Sequence, residues 1–123
     1  MNKVVLIIDD DPNDMQLAYD LIGVLGYSCI KAFDGIEGVA AAKKHKPALI
    51  LMDILMPNMD GYAACNAIKT ASETKNIPIV MLTAVDYELN KDLATEVGAD
   101  GYLAKPYSRQ QLMQAISPYL TTG

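Results

Sequence analysis

Apolar residues in this chain fall into two patterns: short unbroken runs rich in Val, Ile and Leu, and stretches in which they recur every three or four positions. An unbroken run of about five suits a strand covered on both faces, whereas the wider spacing marks one face of a helix. Lys3-Val4-Val5-Leu6-Ile7-Ile8 predicts the first strand. Pro12 suits a first helical position, and Met15, Ala18, Leu21, Ile22 and Leu25 follow at helical spacing until Gly26. Ser28 to Ala32 predicts a second strand. Asp34, with Glu37 three residues on, resembles a capping box that opens a helix to about Lys44, ended by Pro47.

The alternation continues. Ala48 to Met52 predicts a third strand that delivers Asp53 to its carboxyl end, and Asp60 can cap a helix over 61–71 with Ala64, Ala67 and Ile68 inward. Ser72 to Asn76 is a polar connection. Ile79 to Leu82 predicts a fourth strand ending at Thr83, followed by a helix from about Tyr87 to Val97 that stops at Gly98. Tyr102 to Ala104 is a short fifth strand with Lys105 and Pro106 at its exit. Ser108 caps a last helix with Leu112, Ala115, Ile116 and Leu120 inward, which Pro118 is expected to interrupt. Five strands alternating with five helices predict an α/β fold, a five-stranded parallel sheet with helices on both faces joined by right-handed crossovers.

The 123 residues match one domain. No apolar run approaches the roughly 18 to 20 residues that a bilayer requires, so no membrane association is expected. The amino terminus enters a strand without the features of a secretory signal, which implies a cytoplasmic protein. Cys29 and Cys65 lie far apart with no metal-ligand spacing and read as reduced residues. The net charge of −5 argues against a nucleic-acid backbone as partner, so direct DNA binding is not expected.

In open parallel sheets, ligands bind beyond the carboxyl ends of the strands. The residues at those ends are Asp9 and Asp10, Asp53, Thr83 and Lys105. Three converging carboxylates repel one another and need a counter-charge, of which Lys105 supplies only one. Oxygen ligands without histidine or thiolate favour Mg2+ over zinc. A cation, a lysine and a hydroxyl around one carboxylate suit phosphoryl transfer, with Asp53 as the nucleophile. Each residue also has a plainer reading: Asp9 and Asp10 as helix caps, Asp53 as loop chemistry, Thr83 as a strand end, Lys105 as a solvated cation and Tyr102 as core. The chain has no glycine-rich nucleotide cradle. Its position two after Asp53 is Leu55, where a haloacid-dehalogenase-like phosphohydrolase carries a second carboxylate, so turnover of external phosphoesters is disfavoured.

Four segments together resemble the response-regulator receiver domain: Ile7 to Pro12, Leu51 to Gly61, Met81 to Ala84 and Gly98 to Tyr107. The resemblance implies a flavodoxin-like sheet in the order 2-1-3-4-5. It implies that Asp10, Asp53 and the backbone carbonyl of Leu55 ligate Mg2+, with Asp9 acting through water. Lys105 is implied to pair with the phosphoryl group, through a cis peptide at Lys105–Pro106. Thr83 and Tyr102 are implied to be a switch pair that reshapes the face of helix four, strand five and helix five. A histidine kinase or histidine phosphotransfer protein would donate the phosphoryl group, docking at the first helix and the loop around Pro106, and a downstream protein would read the result. Leu55 and Val85 are apolar where the family tunes phosphoryl lifetime, which predicts slow self-dephosphorylation. The end of the sequence soon after the last helix favours a stand-alone receiver over one cut from a larger kinase or transcription factor.

Overall fold

A computed structural model describes residues 3–84 and 89–120. In chain order the elements are β1 (Val4–Ile8), α1 (Pro12–Val24), β2 (Ser28–Ala32), α2 (Gly35–His45), β3 (Leu49–Asp53), α3 (Gly61–Thr70), β4 (Ile79–Ala84), α4 (Lys91–Glu96), β5 (Gly101–Lys105) and α5 (Arg109–Leu120). The strands form one parallel sheet in the order β2-β1-β3-β4-β5. The order reverses at β1, so the ends of β1 and β3 open a crevice where the chain departs in opposite directions.

Strand periodicity of two divides the core into two layers. Val5, Ile7, Leu49, Leu51, Val80 and Leu82 pack against α1 and α5, meeting Met15, Ala18, Ile22, Leu112 and Ile116. Leu6, Ile8, Ile50, Met52, Ile79 and Met81 face the other way, onto Ala42 of α2, Ala64 and Ile68 of α3, and Ala94 of α4. β3 is buried from end to end, while β5, at the sheet edge, alternates between partly buried and exposed positions. The apolar continuity of the third strand therefore reflects cover on both faces, and Tyr102 stands on the exposed half of an edge strand.

Polar side chains set the helix starts. Asp34 Oδ1 accepts from the Glu37 N–H at 2.7 Å and Asp60 Oδ1 from the Ala63 N–H at 2.8 Å. Ser108 and Gln111 form a reciprocal box: Ser108 Oγ accepts from the Gln111 N–H and Gln111 Oε1 from the Ser108 N–H. Three elements differ most from the sequence expectation. β5 extends from Gly101 through Lys105, because it pairs with β4 along that whole length. The fourth helix starts at Lys91, where Asn90 Oδ1 accepts from the Leu93 N–H; Leu89 and Asn90 are not helical, and the expected start at Tyr87 lies outside the described residues. α5 runs through Pro118 to Leu120, since a proline in the last turn forfeits a single backbone bond. Among the described residues no helix is long and apolar enough to cross a membrane. Both cysteines are unpaired, and burial raises each thiol to about 11.

Candidate functional site

β1 delivers Asp9 into the crevice and β3 delivers Asp53 beside it. Asp9 is 1% exposed, with its Oδ1 accepting from the Asp11 N–H at 3.0 Å. That bond turns the chain into α1, which Asp11 itself caps by accepting from the N–H groups of Asn13 and Asp14. Carboxylate oxygens of Asp9, Asp10 and Asp53 all lie within 4.8 Å of one another. Asp10 and Asp53 border a cleft of about 440 Å³ whose walls also include Asp14, Leu55, Ala84 and Lys105.

Lys105 enters from the end of β5, with a cis peptide to Pro106 as expected. Its Nζ donates to Asp9 Oδ2 at 2.7 Å, Asp14 Oδ2 at 3.0 Å and Asp53 Oδ1 at 3.4 Å. Asp14 is a partner that the sequence reading missed. It occupies the third position of α1, and its only signal was an acidic residue in a first helical turn facing the strand ends. The approach of the first turn of α1 to the end of β5, which brings the two together across 91 positions, is not encoded in that local pattern.

Below Asp53, Gly61 fits the loop to the strand. Its N–H donates to the Ile54 carbonyl at 2.7 Å, and a Cβ there would come within 2.4 Å of the Asp53 carbonyl oxygen. Only glycine lets α3 begin this close to the end of β3.

One ammonium shared among several carboxylates overcompensates the lysine and undercompensates the acids. Burial and the neighbouring Asp9 charge push Asp53 up to about 7, with Lys105 offsetting part of the rise. Burial likewise raises Asp9, against the hydrogen bond from Lys105. For Lys105, burial acts downward, but its bonds to Asp9 and Asp14 prevail and hold the ammonium above its usual range. The site is thus short of positive charge, and its donor set of hard carboxylate oxygens fits Mg2+, which binds through one or two carboxylates and retains waters.

Thr83 stands apart from this group. Leu82 and Ala84 wall the cleft, while Thr83, 8% exposed, has the parity of Met81 and belongs to the face covered by α4. The register pairs Met81 with Tyr102 and Thr83 with Ala104, so Thr83 and Tyr102 share that face. Tyr102 is 40% exposed rather than core. Leu55 lines the cleft and is 53% exposed, and Val85 lies outside the described residues.

Residues 5–117 match the family model for the response regulator receiver domain. Protein PilH of Pseudomonas aeruginosa is 35% identical over 116 residues, covering 94% of this chain and 96% of that protein. The structure of the Vibrio cholerae chemotaxis protein CheY4 superposes with a TM-score of 0.91 at 32% identity, covering 98% of this chain and all (100%) of that one. A receiver domain of a Pseudomonas aeruginosa sensor histidine kinase, solved with a magnesium ion coordinated in its active-site cleft, gives a TM-score of 0.90 at 28% identity, with coverage of 99% and 100%. Other relatives are longer: the chain spans 49% and 48% of two transcriptional regulators.

Proposed function

Because the chain belongs to the response regulator receiver domain family, we propose that its phosphoacceptor signalling role is performed at Asp53, within a single receiver domain over 1–123. The observation that supports this most directly is the meeting of Asp9, Asp10 and Asp53 oxygens within 4.8 Å, with Lys105 donating to Asp53 at 3.4 Å. An Asp53 carboxylate oxygen attacks phosphorus and forms a new O–P bond. The bond from phosphorus to the donor atom breaks, and its electron pair leaves with the donor, a histidine nitrogen or the carboxylate of a small acyl phosphate. Lys105 neutralises a phosphoryl oxygen. Asp10, Asp53 and the Leu55 carbonyl would hold Mg2+, with Asp9 acting through water, and the ion would supply positive charge for the transferring oxygens.

Thr83 reaches the phosphoryl group by turning from the α4 face around the end of β4, and Tyr102 on the same face moves with it. The face of α4, β5 and α5 then carries the signal to a downstream protein, without DNA contact by this domain. A histidine kinase or histidine phosphotransfer protein donates the phosphoryl group, engaging α1 and the loop at Pro106. Leu55 presents hydrocarbon to the cleft and cannot orient water, so self-dephosphorylation is slow and no external substrate is turned over.

Incubation with Mg2+ and a small acyl phosphate, followed by intact mass, tests the assignment. The native chain should gain one phosphoryl group and Asp53→Asn none. Equal gain in both would refute it.

A further inference from the structure

Lys105 is held by two kinds of carboxylate. Asp9 is buried to 1% side-chain exposure, and its second oxygen is occupied by the Asp11 N–H, so it grips the ammonium from a fixed position. Asp14 approaches from the first turn of α1 with its side chain 43% exposed, and can return to water at small cost. It does not belong to the group of Asp9, Asp10 and Asp53 whose oxygens could share an ion. Its partner in the cleft is the lysine. The acceptor Asp53 makes the longest of the three contacts, 3.4 Å against 2.7 and 3.0 Å, so the ammonium leans toward α1.

We propose that Asp14 is a positioning residue for Lys105, holding the ammonium toward α1 while Asp53 is unmodified and releasing it when Asp53 carries a phosphoryl group. The inference rests on the reading of Asp53 as phosphoacceptor. A phosphoryl group on Asp53 adds negative charge at the weakest of the three contacts and draws the ammonium toward it. Asp9 cannot follow, because its other oxygen is tied into the turn before α1. Asp14 is the partner that yields, and solvent replaces the lysine. Its grip stabilises the unmodified state and not the transition state, so it slows phosphorylation and leaves the decay of the acyl phosphate, in which the pair is already parted, unaffected.

Asp14→Asn removes the charge and keeps the shape. With Mg2+ and a small acyl phosphate it should be phosphorylated about two- to fivefold faster than the native chain, the range for surrender of a part-exposed ion pair, and should lose the group at the native rate. Asp11→Asn is the comparison. It removes a neighbouring negative charge, keeps a competent helix cap, and leaves the contacts of Lys105 intact. A second readout needs neither metal nor phosphate: in proton–nitrogen spectra of the lysine ammonium groups, the Lys105 signal should shift and exchange faster with water in Asp14→Asn but not in Asp11→Asn. An unmoved Lys105 signal, slower phosphorylation, or equal acceleration in both variants would overturn the proposal while native phosphorylation stands. A native chain that gains no phosphoryl group would instead overturn the phosphoacceptor reading, and the release step with it.

Discussion

Asp53 and Thr83 stand at the ends of neighbouring strands, yet they face opposite sides of the sheet and live in different electrostatic worlds. On the side of α1 and α5, Asp53, Asp9 and Lys105 form a buried ionic knot in which burial, not hydrogen bonding, dominates the carboxylates. On the side of α4, Thr83 and Tyr102 are neutral, and Tyr102 lies on an edge strand with 40% exposure. On the proposed reading, charge crowding on one side is what a cation and a phosphoryl group would relieve. On the same reading, the other side carries the response. A receiver needs both, and adjoining strands of one sheet separate them by nothing more than the alternation of side chains.

The strongest challenge to this contrast is pH. Asp53 binds its proton more tightly in the fold, at about 7, than in the unfolded chain, near 3.8. Its contribution to stability is complete below the unfolded value and is lost as pH rises through about 7, a span worth up to about 4 kcal/mol. Asp9 is raised too and acts in the same direction. Urea unfolding of the metal-free protein should therefore show stability falling from pH 4 to 8, with a shallower fall in Asp53→Asn. At pH 8, Mg2+ should recover part of the loss by binding the folded state. A flat profile in the native chain would mean that the knot is not strained.

Lys105→Ala should come next. It leaves Asp9 buried without its ionic partner, which costs about 3 kcal/mol at pH 7 in denaturant unfolding, and magnesium should restore part of it. Gly61→Ala tests the fit beneath the acceptor. The added methyl group meets the Asp53 carbonyl oxygen, a backbone atom that cannot step aside alone, so a loss of about 1–3 kcal/mol is expected together with weakened Mg2+ binding in a titration followed by amide shifts. The smallest effect belongs to the other face. Thr83→Ala should change stability by less than about 1 kcal/mol and leave Mg2+ binding intact. It should nonetheless abolish the amide shifts that phosphorylation induces around Tyr102, and a variant that keeps them would detach the switch from Thr83.

Much of the fold was legible in the chain because its determinants are local. Unbroken apolar runs marked the strands, and Asp34, Asp60 and Ser108 marked helix starts through bonds to residues three positions on. Where the reading slipped, a local signal was outweighed. Asn90 rather than an upstream residue caps α4, Pro118 is tolerated inside α5, and pairing with β4 lengthens β5 at both ends. At the site, Asp9, Asp10, Asp53 and Lys105 were recognisable as polar residues at strand ends, whereas Asp14 resembled any acidic residue in a first helical turn.

Taken by itself, then, the order of residues determined the elements, their alternation and the carboxylates that the parallel sheet must bring to one edge. Tertiary structure alone decided that Lys105 is shared with Asp14, 91 positions away, and that Thr83 begins on the face opposite Asp53. The reason is geometric. Periodicity and capping act over a few residues, but the side of a sheet to which a strand end points, and the helix turn that reaches it, depend on the register and packing of elements distant in the chain.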